Sequence, residues 1–369
     1  MSGESQHAFK KNSSTTTALI EMHDAATEAF DDLSCPGFAI LSLDLSKAFD
    51  MVSHPVLLDK MLNSKFPAGF ILWLKSYLSG RSVQVKLKGT LSRPYKISIG
   101  VPQGSVLGPS LFCALIGDLP NTESEMTSVQ YADDINIIMK LPSQVQEMSQ
   151  VVGRELERIN NWCTHNHQTL NLQKSKMLLF TRSAVARNLF PINTASSAKI
   201  LGVTWNEELN WKNHIDDISK KACKRLHVLR VLRRHVSTRE LHEVYNCLIR
   251  SVFEYCCPLF CNLNKERSVK LQRIDNRAHR MMFIEKEQCG CGGNGLNERR
   301  EALSLKLFRK IILDKRHILH KRLPRQLKRN RLSNFYCRTK RRQRSFFPNL
   351  TLLWNQQELQ QQKQLQQQR

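Results

Sequence analysis

Two adjacent carboxylates, Asp133 and Asp134, stand in the tetrapeptide Tyr131-Ala132-Asp133-Asp134 between apolar residues of strand character, Val129 before them and Ile135, Ile137 and Ile138 after. No other feature constrains the chain as tightly. Burying even one unpaired carboxylate costs several kcal/mol or forces it to take up a proton, so apolar flanks around two of them call for a strong opposite charge nearby. A divalent metal ion is one supplier. The other reading is a solvent-exposed hairpin turn, because Asp is a common turn residue.

The length of 369 residues suggests two or three domains, and a hydrophobic content of 41% is enough for real cores. The net charge of +24 is unevenly spread: residues 1 to 200 hold 19 Lys and Arg against 17 Asp and Glu, and residues 201 to 369 hold 37 against 15. A near-neutral half joined to a strongly basic one suits a catalytic core attached to a grip for a polyanion, with nucleic acid favoured over anionic membrane. No apolar run approaches the ~18 to 20 residues of a transmembrane helix, and the polar N-terminus, threonine-rich at Ser13 to Thr17, is no signal peptide. The 11 cysteines have no even spacing and read as reduced intracellular thiols. Cys256, Cys257 and Cys261 cluster, and Cys289 and Cys291 flank a glycine, but neither group has zinc-site spacing.

Along the chain, Phe38 to Leu43 is an apolar run suited to a strand buried on both faces, and it ends at Asp44. Ser53 offers an N-cap and Pro55 a first helical turn, and Val56, Leu57, Met61 and Leu62 follow at helical spacing. A second helical segment carries Phe70, Leu72, Trp73, Leu74 and Tyr77 up to Gly80. Alternation at Val83, Val85 and Leu87, and again at Tyr95, Ile97 and Ile99, predicts a hairpin turning at Gly89-Thr90. It leads into the glycine- and proline-rich loop Gly100 to Pro109, followed by a helix over Ser110 to Gly117. The stretch Val129 to Met139 reads as the hairpin carrying the acid pair, and Ser143 to His165 as a helix with Val145, Met148, Val152, Leu156, Ile159 and Cys163 inward. Met177 to Phe180 and Lys199 to Val203 are further short strands.

Beyond Trp211 the pattern becomes helical. One stripe is Ile215, Ile218, Ala222, Leu226 and Leu229, a second Leu241, Val244, Tyr245, Leu248 and Val252, and a third Val269, Ile274, Ala278 and Met281. Gly290 to Gly295 reads as a flexible break, Lys321 to Arg344 as a basic segment, and Gln356 to Arg369 as a glutamine-rich tail, disordered or a lone helix. Three acids then matter: Asp44 at a strand end, and Asp133 and Asp134 at a hairpin tip. Two-metal phosphoryl transfer uses such carboxylates to hold two Mg²⁺ ions about 3.5 to 4 Å apart, and Mg²⁺ suits a sparse set because it keeps waters and takes phosphate oxygens.

The motifs Leu43-Asp44-Leu45-Ser46-Lys47-Ala48-Phe49-Asp50, Gly100-Val101-Pro102-Gln103-Gly104-Ser105, Tyr131-Ala132-Asp133-Asp134, Asn171 with Lys174-Ser175, and Leu201-Gly202-Val203 occur in one order. In that order the chain resembles the reverse transcriptases of non-LTR (LINE-like) retrotransposons, over roughly residues 5 to 205 and more loosely beyond. Ser345-Phe346-Phe347-Pro348 and Leu353-Trp354-Asn355 resemble the end of such reading frames. The resemblance implies an α+β fold: a right-hand polymerase palm with partial fingers, then a helical thumb and a basic helical C-terminal region. It implies Asp44, Asp133 and Asp134 as catalytic acids and metal ligands for two Mg²⁺ ions, with Mn²⁺ as a substitute. Phe49 matches the residue that crowds the sugar 2′ position and favours deoxynucleotides, Gln103 the glutamine beside the incoming nucleotide, and Lys174 a lysine that protonates the leaving pyrophosphate. Leu201, Gly202 and Val203 match the turn that supports the primer end.

The implied partners are an RNA template, a DNA primer and deoxynucleoside triphosphates, with no membrane and no small organic cofactor. The implied setting is intracellular, nucleus or cytoplasm, and Lys340, Arg341, Arg342 and Arg344 read either as part of the nucleic-acid grip or as a nuclear-import signal. The expected division is a residual fingers segment over 1–37, palm over 38–205, thumb over 206–288, a basic region over 289–355 and the tail over 356–369. Gln6-His7-Ala8-Phe9-Lys10 with Ser14-Thr15 resembles a family motif, Gln-x-Gly-Phe-Arg with Ser-Thr after it, with Ala8 in place of glycine and Lys10 in place of arginine. In the family a fingers segment precedes this motif, so the expectation is an N-terminally truncated polymerase. The alternative is a non-catalytic remnant that binds RNA or DNA through its basic half.

Overall fold

A computed structural model describes residues 5–119, 126–181, 189–282, 295–328 and 330–367. Cys289 and Cys291, residues 290–294 of the expected break and the last two residues of the tail lie outside them. In chain order the elements begin with α1 (Thr15–Asp31), β1 (Gly37–Leu43), α2 (His54–Asn63) and α3 (Ala68–Leu78). Then come β2 (Arg81–Val83), β3 (Lys86–Leu87), β4 (Thr90–Leu91), β5 (Tyr95–Ile97), α4 (Gly108–Ile116), β6 (Met126–Tyr131), β7 (Asp134–Leu141), α5 (Val145–His165) and β8 (Lys176–Thr181). The remainder is β9 (Ser197–Ile200), β10 (Val203–Asn206), α6 (Lys212–Leu232), α7 (Thr238–Tyr245), α8 (Ser251–Glu254), α9 (Lys265–Met282), α10 (Leu296–Leu313), α11 (Lys340–Gln343) and α12 (Phe346–Gln367). The fold is α+β. Two compact units result, one from Met1–Ser14 with Pro36–Ala195 and one from Thr15–Cys35 with Ser196–Arg369.

The first unit is built on a four-stranded sheet in the order β6-β7-β1-β8, antiparallel throughout. β1 is central and buried on both faces, as its apolar run demands. Ala39, Leu41 and Leu43 of β1, Ile135, Ile137 and Met139 of β7, and Met177 and Leu179 of β8 share one face. That face packs on Leu57 and Met61 of α2, Leu74 of α3, Phe112 and Leu115 of α4, and Val152, Leu156 and Ile159 of α5. On the other face Phe38 and Phe180, paired across the strands, stack at 4.3 Å between ring centroids. The register is thereby fixed, because a slip of one residue would exchange the two faces of every strand. The hairpin expected between residues 83 and 99 is broken in two: β2 pairs with β5, β3 with β4, and the backbone between them is bridged at Ser92 by hydrogen bonds to Val85 and Gln84.

In the second unit α6 buries Ile215, Ile218, Ala222, Leu226 and Leu229, the stripe its sequence shows. The next stripe is altered by a π-helical stretch at Asn246–Arg250 between α7 and α8, which turns Ile249 rather than Leu248 into the core. On α9 the buried apolar residues are Leu271, Ile274, Ala278 and Met282: Ile274 and Ala278 lie where the stripe puts them, while Leu271 and Met282 are buried in place of Val269 and Met281. The glutamine-rich tail continues α12 as helix to Gln367.

Helix α1 is the least expected component of this unit, because the segment 1–37 is divided between the two units. Twelve of its 17 residues are buried, among them Glu21, His23 and Asp24. Buried charge requires partners, and they come from the far end of the chain. Arg342 pairs with the Asp24 carboxylate and donates to Asp24 O at 2.9 Å and Thr27 Oγ1 at 3.1 Å. Arg322 lies 3.6 Å from Glu21 and 3.7 Å from both Asp24 and Glu28. Burial pushes the Asp24 carboxyl up, and the guanidinium groups of Arg342 and Arg322 pull it back. Asp31 accepts at the C-terminal end of the helix from the backbone N–H groups of Arg338 at 2.9 Å and Thr339 at 2.6 Å. Among the described residues no helix is long and apolar enough to cross a membrane.

Leaving Asp24 buried without its partner should be costly, so Arg342→Ala is expected to lower unfolding stability by about 3 kcal/mol. Asp24→Ala in the same chain should recover part of that loss, giving a coupling of about 1 to 3 kcal/mol in a double-mutant cycle read by urea unfolding. Additive effects of the two substitutions would contradict the pairing.

Candidate active site

The β1–β7 register ends with Leu43 paired to Ile135, so Asp44, the residue after β1, is carried toward Asp134, the first residue of β7. Asp133 precedes it in a two-residue turn, since Tyr131 pairs with Asp134 across the β6–β7 hairpin. Antiparallel pairing thus delivers the three acids to one edge of the sheet. Partial desolvation, then the negative charges of Asp133 and Asp44, raise the Asp134 carboxyl to about 6. The turn is bought with strain, because Ala132 has φ of +55°, a left-handed conformation that costs a residue with a Cβ about 1 kcal/mol or more.

The end of β1 is held by the segment leading into β8. Ser175 Oγ accepts from Asp44 N–H at 3.1 Å and donates to Asn171 O at 2.7 Å, while Asn171 N–H donates to Asp44 O at 2.8 Å. Asn171 Oδ1 accepts from Lys174 N–H at 3.2 Å. This folded turn brings Lys174 Nζ to 3.9 Å from Asp44 Oδ2. The lysine side chain is 70% exposed, so the pair is long and solvated and contributes little to stability.

Phe49 is half-buried and stacks on Phe112 of α4 at 4.3 Å, anchoring the chain after Asp44 to the core. The glycine-rich loop lies against the same stretch. Gly100 N–H donates to Val52 O at 2.8 Å, Val101 N–H to Phe49 O at 3.0 Å, and His54 Nε2 is 2.8 Å from Gly100 O. Gly100 has φ of +81°, and a Cβ there would sit 2.7 Å from Asp50 O. Close backbone approach is therefore the reason for this glycine. Exposed Gln103 donates from Nε2 to Asp50 Oδ1 at 2.7 Å, which fixes its rotamer.

Leu201, Gly202 and Val203 belong to the second unit. Leu201 and Gly202 form the turn between β9 and β10, with φ of +46° and +81°, and Val203 pairs with Ile200. Tyr255 Oη donates to Leu201 O at 2.8 Å, and a Cβ on Gly202 would meet the Tyr255 ring at 3.1 Å. The structure therefore brings together Asp44, Asp133, Asp134 and Lys174 in the first unit, with Phe49 and Gln103 on the adjoining loops.

Asp50 and Gln6 are site residues to which sequence reasoning assigned no role. Asp50 ends the first motif, but nothing in the sequence shows that it meets Gln103. Gln6 is fully buried and bonds to both backbone polar groups of Ala132. Its motif stands out by its departures at Ala8 and Lys10, and the glutamine itself carries no signal in the sequence.

Among the described residues no group of three or more His, Cys, Asp or Glu is already placed to hold a metal ion. In chemistry the donor set suits a hard divalent cation: three carboxylates, one of them raised by burial and then by the charge of the other two, would be relieved by positive charge. An ion completed by water and phosphate oxygens needs no more protein ligands than these.

An antiparallel sheet that carries acids at the end of its central strand and in the adjoining hairpin turn defines a polymerase palm. The family model for reverse transcriptase (RNA-dependent DNA polymerase) matches residues 3–205, and the chain belongs to this family, on its LINE-like branch. It is 28% identical over 292 residues to the probable RNA-directed DNA polymerase from transposon BS of Drosophila melanogaster, covering 74% of this chain and 32% of that protein. It is 27% identical over 289 residues to the RNA-directed DNA polymerase from mobile element jockey of Drosophila funebris, covering 73% and 31%. The chain thus spans about a third of the length of these relatives. Among solved structures, telomerase from Candida tropicalis with a telomeric RNA fragment is similar at a TM-score of 0.44 and 12% identity, over 87% of this chain and 53% of that one.

Two glycines of the loop separate strain from crowding. Gly100→Ala meets both a left-handed φ and the Asp50 carbonyl, and should cost about 2 kcal/mol or more in urea unfolding. Gly104→Ala, with φ of +80° and no heavy atom within 4 Å of a Cβ, meets strain alone and should cost about 1 kcal/mol. Equal costs would contradict the close approach at Asp50.

Proposed function

We propose that this chain carries the nucleotidyl-transfer centre of an RNA-directed DNA polymerase of a LINE-like element. The observation that carries the reading is the convergence of Asp44 with the Asp133–Asp134 turn, where burial and then the charges of Asp133 and Asp44 raise Asp134 to about 6. Asp44, Asp133 and Asp134 would hold two Mg²⁺ ions, or Mn²⁺ in their place. Bound there, the ions would activate the primer 3′ hydroxyl and neutralise charge on the leaving pyrophosphate.

The other residues act by position. Phe49, held by its stack on Phe112, presents bulk toward the sugar of a deoxynucleoside triphosphate. Gln103, oriented by Asp50, lies beside the incoming nucleotide and template. Lys174 supplies a proton to the leaving pyrophosphate from its place near Asp44. In the second unit the Leu201-Gly202-Val203 turn, supported by Tyr255, carries the primer end.

On this reading residues 38–205 would serve as palm and 206–288 as thumb. On α6, Lys212, Lys220, Lys221, Lys224 and Arg230 are exposed on the side away from the buried stripe. Such a face neutralises phosphates of an RNA template and DNA primer without reading sequence. The thiol cysteines accord with work inside the cell, in nucleus or cytoplasm.

Extension of a DNA primer on an RNA template with Mg²⁺ or Mn²⁺ tests the reading. Wild-type chain should extend it, and Asp133→Ala should reduce extension by about a thousandfold or more. Synthesis persisting in the variant would overturn the metal-site assignment, and binding without synthesis in either protein would favour the non-catalytic remnant. Neutralising about five phosphates predicts that affinity for primer-template falls on the order of a hundredfold or more between 50 and 200 mM salt. A flat salt response would contradict the basic face as the grip.

A further inference from the structure

The chain's first described residues run beside β6. Gln130 N–H donates to Ser5 O at 2.8 Å and His7 N–H donates to Gln130 O at 2.8 Å, a parallel bridge centred on Gln6 and Gln130. This places the Gln6 side chain, with no solvent exposure, against the β6–β7 turn. Gln6 Oε1 accepts from Ala132 N–H at 3.0 Å and from Ala8 N–H at 2.8 Å, and Nε2 donates to Ala132 O at 3.4 Å. Two backbone donors converge on one atom, so that atom is the carbonyl oxygen and the amide orientation is settled.

Ala132 is the residue that most needs such help. It lies outside the β6–β7 ladder, which closes at Tyr131 and Asp134, and it is held at φ of +55° while 9% exposed. A single side-chain amide therefore satisfies both of its backbone polar groups, 126 residues away in sequence. A strained, non-glycine turn persists only where its surroundings over-determine it. The next residue in the chain is Asp133.

We infer that Gln6 is a positioning residue: it locks the left-handed Ala132 turn and thereby aims Asp133 at the site formed with Asp44 and Asp134. The inference rests on the polymerase reading for its consequence, though not for its geometry. A carboxylate displaced by about 1 Å from its working position can cost on the order of a hundredfold in rate. Ala8 takes part through its N–H alone, so alanine for glycine there preserves the lock.

Two readouts decide it. Gln6→Met keeps the shape and removes the strong acceptor, and hydrogen exchange of the Ala132 amide should quicken about tenfold or more while exchange in β1 and α5 stays unchanged. In primer extension the same variant should lose about tenfold or more in kcat, with KM for deoxynucleotide and affinity for primer-template within about twofold of wild type. Should Gln6→Met not fold, Gln6→Asn, one methylene short, is read in the same way.

Wild-type exchange at Ala132 in the variant would overturn the lock, whether or not the chain is active. Faster exchange with wild-type kcat would overturn the aim at Asp133. A wild-type chain without any extension would count against the polymerase reading, and the exchange result would still decide whether Gln6 sets the turn.

Discussion

The pairing of β1 with β7 is the constraint on which the rest of the first unit depends. It joins a strand buried on both faces to a hairpin arm, and at its end it carries Asp44 toward Asp134, with Asp133 beside them. Burial and, after it, the like charges of Asp133 and Asp44 raise the Asp134 carboxyl, so assembling the three acids opposes folding. Burial of Ala39, Leu41 and Leu43 against Ile135, Ile137 and Met139 offsets that opposition, and it also forbids relief by a register slip. The acids stay together because the apolar residues behind them admit one alignment.

The basic half shows the opposite arrangement, in which charge that looks available is in part already used. Arg322 and Arg342 face the acids of α1, Arg299 pairs with Glu254, and Lys270 lies 2.5 Å from Asp216. Arg342 is 5% exposed and Arg341 lies over the ring of Phe30, so the run from Lys340 to Arg344 is in part structural. The cations left to a polyanion are concentrated on surfaces such as the outer side of α6. Net charge counts all of these alike, whereas only the solvated ones release counterions from nucleic acid.

Legibility in the sequence followed the range of the interaction concerned. β1, the acid-bearing hairpin, α5 and the α6 stripe are set by local periodicity, and they lie where the apolar pattern puts them. The stripe through α7 and α8 departs from expectation at Leu248, where a π-helical stretch adds a residue to one turn and buries Ile249 instead, and hydrophobic spacing does not announce it; Val252 is buried as expected. Ser53 sits at the N-cap of α2 as expected, but its side chain makes no capping bond there, and Pro55 in the first turn carries the start instead. The attachment of α1 to the second unit depends on Asp24 meeting Arg342, 318 residues on, and no local pattern encodes that. Asp50 with Gln103, and Gln6 with Ala132, were hidden for the same reason.

The two hairpin turns that the motifs single out share a physical solution although they lie in different units. Ala132 and Leu201 are both non-glycine residues held left-handed, at φ of +55° and +46°. Each is fixed by a side chain remote in sequence, Gln6 bonding to Ala132 and Tyr255 donating to Leu201 O at 2.8 Å. A glycine at either position would remove the strain, and with it the preference for one geometry, since glycine adopts many others at no steric cost. An alanine or leucine held by an outside hydrogen bond gives a turn with a single shape. The strain and the remote bond belong together: the bond makes the conformation tolerable, and the side chain at the turn makes its alternatives few. Ala132 stands directly before Asp133, so in this chain the stiffness of a two-residue turn is transmitted to a carboxylate without any intervening torsion other than its own.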